Sequence, residues 1–173
     1  MASNWISVAD TLGYPKPGIV YTTNQGIPIG TMGRFRDVGT TFLGEGDFIW
    51  LPGVASTVLG DWCTYSVSDG TANTGSTVRW AGTANLSYPI CVATCASVAS
   101  TWAWYQVRGA AICNTNGTIA AGNGAAWQAT ATVQAAAVAT KNVEGVIAQS
   151  ANGVPATNQA IYLLQYPSSQ TAV

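Results

Sequence analysis

The segment "GRFRDVGTTFLGEGD" (33–47) gathers Arg34, Arg36, Asp37, Glu45 and Asp47 into fifteen positions of a chain that is otherwise nearly uncharged. Three kinds of chemistry fit these residue types. Glu45 and Asp47 are spaced as a carboxylate pair, the minimum for acid–base work without histidine. The same oxygens suit a hard cation, but calcium takes six to eight oxygen ligands and no loop pattern here supplies them. Arginine forks beside carboxylates also suit contact with a partner protein. The plainest reading is a solvated turn with local ion pairs.

Other reactive groups are few. The chain has no histidine, which removes the commonest general base, triad member and metal ligand together. Its two lysines, Lys16 and Lys141, stand in no recognisable setting. No dinucleotide fingerprint, phosphate loop or H-E-x-x-H motif occurs. Cys91 and Cys95 form a C-x3-C pair, while Cys63 and Cys113 are isolated. An all-cysteine zinc site normally uses two tight knuckles, and a cytosolic origin works against disulfides. Four small buried hydrophobes is the leading reading. No catalytic, cofactor or metal site is expected.

The aromatic residues raise a separate question. "TWAWYQVRGAAIC" (101–113) places Trp102, Trp104 and Tyr105 within four positions, and seven tryptophans occur in all. Strict alternation puts Trp102, Trp104, Gln106 and Arg108 on one face of a strand and Ala103, Tyr105 and Val107 on the other. Exposed tryptophans serve as stacking platforms for sugars; buried ones fill cores and subunit interfaces. Only Gln106 and Arg108 stand beside these rings as polar partners, so packing or an interface is the favoured use.

The elements that must position these residues read as strands. "DFIWLPG" (47–53) is a short apolar strand closed by Pro52-Gly53. Residues 61–82 alternate Trp62, Thr64 and Ser66 against Cys63, Tyr65 and Val67, with a hairpin turn at Asp69-Gly70. "YPICVATCASVAS" (88–100) reads as a strand followed by irregular chain. Further strands start within 122–134 and flank Asn152-Gly153 within 143–167. "AAAVAT" (135–140) is alanine-rich but too short to nucleate a helix. Residues 1–40 are punctuated by Pro15, Pro17, Pro28 and several glycines. Proline forbids a helix here, and the segment reads as an extended N-terminal arm. The expectation is all-β: a β-sandwich or small β-barrel of about seven to ten strands spanning 41–173, preceded by the arm.

Composition narrows function. The 173 residues are 48% hydrophobic and only 8% charged, with a net charge of −1, against roughly 25% charged in ordinary globular proteins. So little charge predicts a surface covered by copies of the chain or by another protein. Nucleic acid requires a basic stripe that is absent here. No polybasic cluster addresses an anionic membrane, and no run of about 18 apolar residues would span one. The N-terminus carries no signal-peptide pattern, so synthesis in a cytoplasm is expected. Asn85-Leu86-Ser87 and Asn116-Gly117-Thr118 match the glycosylation sequon and read as turn residues.

Three stretches together, "FLGEGDFIWLPGVASTVLGDWCTYSV" (42–67), "STWAWYQVRGAAI" (100–112) and "VEGVIAQSANGVPATNQAIYLLQYP" (143–167), resemble a family of small structural proteins of tailed bacteriophages. The resemblance covers roughly residues 42–167 and is a pattern of strands and turns, with no catalytic signature. It implies a capsid decoration, or cement, protein: a non-enzymatic virion component on the outside of an icosahedral head, made in the host bacterial cytoplasm. Its expected partners are the major capsid protein and further copies of itself, as dimer or trimer, without nucleic acid or membrane. The alternative is a carbohydrate- or receptor-binding virion module. Candidate partner-contact residues are Trp5, Ile6, Tyr14, Arg34, Arg36, Trp102, Trp104 and Arg108.

Overall fold

Residues 32–37 and much of 159–169 alternate between more and less buried positions, whereas 46–51, 90–93 and 103–107 are buried without a break, as in strands covered on both faces. A computed structural model describes residues 4–8, 13–39, 43–67, 75–80, 87–128, 131–135 and 141–169. The expected Asp69-Gly70 turn, Asn85 and Leu86 of the first sequon, and residues 136–140 of the alanine-rich segment lie outside them. Eleven strands follow in order: β1 (Trp5–Ser7), β2 (Met32–Asp37), β3 (Glu45–Pro52), β4 (Trp62–Ser66), β5 (Ser76–Arg79), β6 (Ile90–Ala93), β7 (Trp102–Asn114), β8 (Ala125–Trp127), β9 (Val133–Ala135), β10 (Asn142–Ala148) and β11 (Gln159–Ser169). All pairings are antiparallel.

The all-β class is as expected, and the barrel alternative is removed. The strands form one sheet that does not close, with the path β1-β2-β3-β7-β11-β10-β8-β9 and a branch β7-β6-β4-β5. The cause is β7. Its thirteen residues are long enough to pair β3 and β6 along its first half and β11 along its second. What a sandwich divides between two sheets is here joined through one shared strand.

The two faces of β7 bury different sets of side chains. Trp104 packs with Trp5, Ile27, Phe35, Phe48 and Trp50. Ala103, Tyr105 and Val107 pack on the other side with Ile49, Leu51, Cys63 and Cys91. Beyond residue 110, Ala111 and Cys113 enter a third cluster with Trp62, Trp80, Trp127, Tyr162 and Leu164. The alternation of β4 also holds, since Trp62 and Cys63 enter different clusters.

The N-terminal segment lies on its own chain. Residues 13–31 run without a regular strand, and β1 and β2 extend the sheet beyond β3. Tyr21 exchanges two backbone hydrogen bonds of 2.8 Å with Trp102. The indole N–H of Trp104 donates to the Pro15 carbonyl, and that of Trp50 to Asn24 Oδ1, each at 2.7 Å. Hydrogen bonding satisfies the polar handle of each buried indole, and these two bonds draw the segment across the aromatic face.

The fully buried Trp104 meets Phe35 and Trp50 edge-on at centroid separations of 5.2 and 5.3 Å. Trp104→Ala is expected to lower unfolding free energy by about 3–5 kcal/mol, measured by urea denaturation. A change within error would mean that the aromatic cluster is not what holds the N-terminal segment.

Candidate interaction surface

The charged residues singled out in the sequence converge through strand register. Arg34 on β2 lies opposite Asp47 on β3, Asp47 lies opposite Arg108 on β7, and Arg108 lies opposite Gln165 on β11. One step along, Arg36 lies opposite Glu45, with Ile6 of β1 beyond it. Opposed residues of paired strands project to the same face. Arg34, Arg36, Glu45, Asp47 and Arg108 are thus five of the thirteen charged residues (six basic, seven acidic) on one patch.

A bulge sets this geometry. Between β3 and β7 the register shifts, so that Asp47 opposes Arg108 while Phe48 opposes Gln106. Val107 is the extra residue, and a bulge of this kind re-aims the following side chain. Strict alternation places Arg108 with Trp102 and Trp104. The structure corrects this: the guanidinium reaches Asp47, on the other face from Trp104. The Gln106 amide holds the kink by donating to the carbonyls of Arg108 and Ala110 at 3.0 and 2.9 Å. Gly109 follows at φ +93°, where a Cβ would run into the Glu45 carbonyl oxygen. Only glycine meets both demands.

Asp47 is the hub, with a side chain 8% exposed. Arg34 donates to it through Nε at 2.7 Å and Nη2 at 3.3 Å. The Tyr166 hydroxyl donates at 2.7 Å, and Arg108 Nη1 lies at 3.5 Å. Burial favours the neutral acid, but the hydrogen bonds from Arg34 and Tyr166, with the charges of Arg34 and Arg108, outweigh it and hold the carboxyl below the usual range. The hydrogen bond to Asp47 in turn raises Arg34 and Tyr166. Arg36 binds Glu45 as a separate exposed pair. Both carboxylates are thus met by arginine in charge-assisted hydrogen bonds. Among the described residues no three His, Cys, Asp or Glu side chains gather as a metal site.

The other expected contact residues divide. Ile6 and Tyr14 are exposed, the arginines are about half exposed, and Trp102 is half-buried. Trp5 and Trp104 are core side chains, only 3% and 0% exposed, so they are withdrawn from the contact surface and Trp104 cannot form a platform with Trp102. Rings fill the sheet face on which an open platform would need to lie.

Tyr166 was not legible in advance. It is 57% exposed, sits at φ +50° within β11, and is 119 residues from Asp47 in sequence. An open groove beside it is bordered by Glu45, Arg108, Gln149 and Leu163. Asp61 was missed as well. It is buried and accepts from Arg79 Nε at 2.6 Å, Asn114 Nδ2 at 2.9 Å and the Val58 amide at 3.0 Å. Its only local signal is the "GD" step before Trp62.

The cysteines do not converge on a common site. Cys63 and Cys91 are cross-strand neighbours on β4 and β6, whereas Cys113 belongs to a different cluster. All four are free thiols. Burial pushes Cys63, Cys91 and Cys113 well up, and the half-buried Cys95 up to about 11. Comparison of the chain with protein-family models, curated proteins and solved structures finds no match.

Two outcomes are expected. Asp47→Asn should cost about 1.5–3 kcal/mol at neutral pH, the range for hydrogen bonds to a charged group. Because the folded-state carboxyl titrates below the unfolded value, its stabilisation is complete above about pH 4 and is lost as pH falls through the folded value. The gap between wild type and Asp47→Asn in urea denaturation should therefore narrow in acid; a constant gap would contradict the hub. Thiol titration of the native protein should label Cys95 alone, and slowly, with all four reacting after denaturation.

Proposed function

We propose that this chain is a structural protein of a tailed-bacteriophage head that decorates the outside of the icosahedral shell and stabilises it by bridging major capsid protein subunits. The observation that carries this reading is the braced charged patch at Asp47, set in a surface otherwise poor in charge. Three arginines share the patch with Tyr166, and arginine and tyrosine are enriched where protein surfaces meet. Around them, Ile6, Met32, Val38 and Ile147 are exposed. The resemblance of residues 42–67, 100–112 and 143–167 to phage structural proteins supplies the particular partner.

Such a role needs no bond-making chemistry. A protein that binds the assembled shell and not its separated subunits stabilises the shell by mass action. Copies joined as dimers or trimers around local axes would add avidity. Prior folding of the N-terminal segment onto its own sheet reduces the ordering cost of docking. A carbohydrate-binding reading loses its main support with the burial of Trp104.

Quantitative mass spectrometry of purified particles tests the proposal. A ratio to the major shell protein near one, or a simple fraction of it, is expected. A few copies per particle would indicate a tail or adhesin component, and complete absence would end the virion reading. Arg36→Glu should lower occupancy while leaving thermal unfolding close to wild type, because the Arg36–Glu45 pair is exposed.

A further inference from the structure

Asn-Gly occurs three times among the described residues, at Asn116-Gly117, Asn123-Gly124 and Asn152-Gly153. This dipeptide is the one most prone to non-enzymatic loss of the side-chain amide, because glycine has no Cβ to obstruct attack by its own backbone nitrogen. The local chemistry is the same at each position, so differences in rate within the folded chain must come from structure.

At Asn152 both reacting groups are held. The side-chain oxygen accepts from Thr115 Oγ1 and the amide nitrogen donates to the Gly117 carbonyl, each at 2.9 Å. The Gly153 N–H, whose nitrogen is the nucleophile, donates to the Gln159 carbonyl at 2.8 Å. At Asn123 the electrophile is held, since its side-chain oxygen accepts the Ala120 N–H at 2.9 Å. Asn116 differs from both. Its backbone N–H is anchored to the Val133 carbonyl at 2.7 Å, but its side chain makes no hydrogen bond among the described residues. Residues 116–118 are all exposed. A Cβ on Gly117, at φ +106°, would meet nothing within 4 Å.

We propose that Asn116 is a site of spontaneous deamidation, converted in the folded protein ahead of Asn123 and Asn152. The Gly117 backbone nitrogen loses its proton to solvent and bonds to Asn116 Cγ. The bond from Cγ to the side-chain nitrogen breaks, and ammonia leaves with a proton from water. The resulting five-membered imide is opened by a second water. Attack at Cγ gives aspartate; attack at the main-chain carbonyl gives isoaspartate, which lengthens the backbone by one carbon. No oxidant, metal or enzyme is required.

The product has a local consequence. Asn116 shares the rim of an open polar depression with Asp61, Arg79 and Asn114. Conversion places a new carboxylate there and takes the net charge from −1 to one unit more negative. A chain with so few charges registers each event as a separate peak on ion exchange.

The test ages the intact, folded chain in mildly alkaline buffer and follows all three asparagines by peptide mass mapping. The same incubation in urea supplies the unfolded reference. In urea the three positions should convert at similar rates. In the folded chain Asn116 should convert several-fold faster than Asn123 and Asn152, with isoaspartate among the products. The first new ion-exchange peak should vanish in Asn116→Gln. Equal rates in the folded chain, a faster reaction at another position, or no reaction at Asn116 while the unfolded chain reacts there would each overturn the proposal.

Discussion

Strand β7 is the constraint on which the other elements depend. It is the only described strand that hydrogen-bonds three others, and it carries buried side chains on both faces. Ala103, Tyr105 and Val107 must be apolar for one cluster, while Trp104 must be large for another. Displacing β7 would open β3, β6 and β11 together. Interiors packed at crystal-like density do not deform gradually, so the chain is expected to behave as one cooperative unit despite its branched sheet. The Tyr105 hydroxyl lies 3.1 Å from Ser97 Oγ, so the polar tip of this buried ring on β7 is satisfied, whereas the Tyr162 hydroxyl and the Trp80 and Trp127 indole nitrogens in the third cluster have no hydrogen-bond partner among the described residues.

The charged patch is a by-product of the same strand. Where β7 bulges, it gives up ladder regularity and turns Arg108 toward Asp47. A carboxylate this enclosed is tolerable only because it is met by hydrogen bonds and opposite charge. Its partners come from β2, β7 and β11, so the ion cluster cross-links strands that are far apart in sequence. Much of the chain's limited charge thus holds one surface in shape.

Legibility followed the range of the interactions. Alternation identified β4 and β7, the short apolar run closed by Pro52-Gly53 identified β3, and the Asn152-Gly153 turn separated β10 from β11, because each of these signals is local in sequence. Alternation also misplaced Arg108, because a one-residue bulge reverses every side chain after it and depends on Gln106, Gly109 and Glu45 meeting in space. Trp5 and Trp104 passed as contact residues because a tryptophan suited to an interface is equally suited to a core. Arg34, Arg36, Glu45 and Asp47 were visible as a cluster because they are near in sequence. Tyr166 and Asp61 were not, since nothing local distinguishes a tyrosine that meets a distant aspartate, or an aspartate that is buried.

The described sheet path ends at β1 and β9, each three residues long, and its branch ends at β5, four residues long. A free edge recruits other chains in proportion to the length of unpaired backbone it offers, and these edges offer about one turn of the ladder's repeat. Growth by strand addition therefore has little template along the described edges. A chain so apolar and so poor in charge has few electrostatic means of resisting fibre formation, and the brevity of its terminal strands substitutes for them.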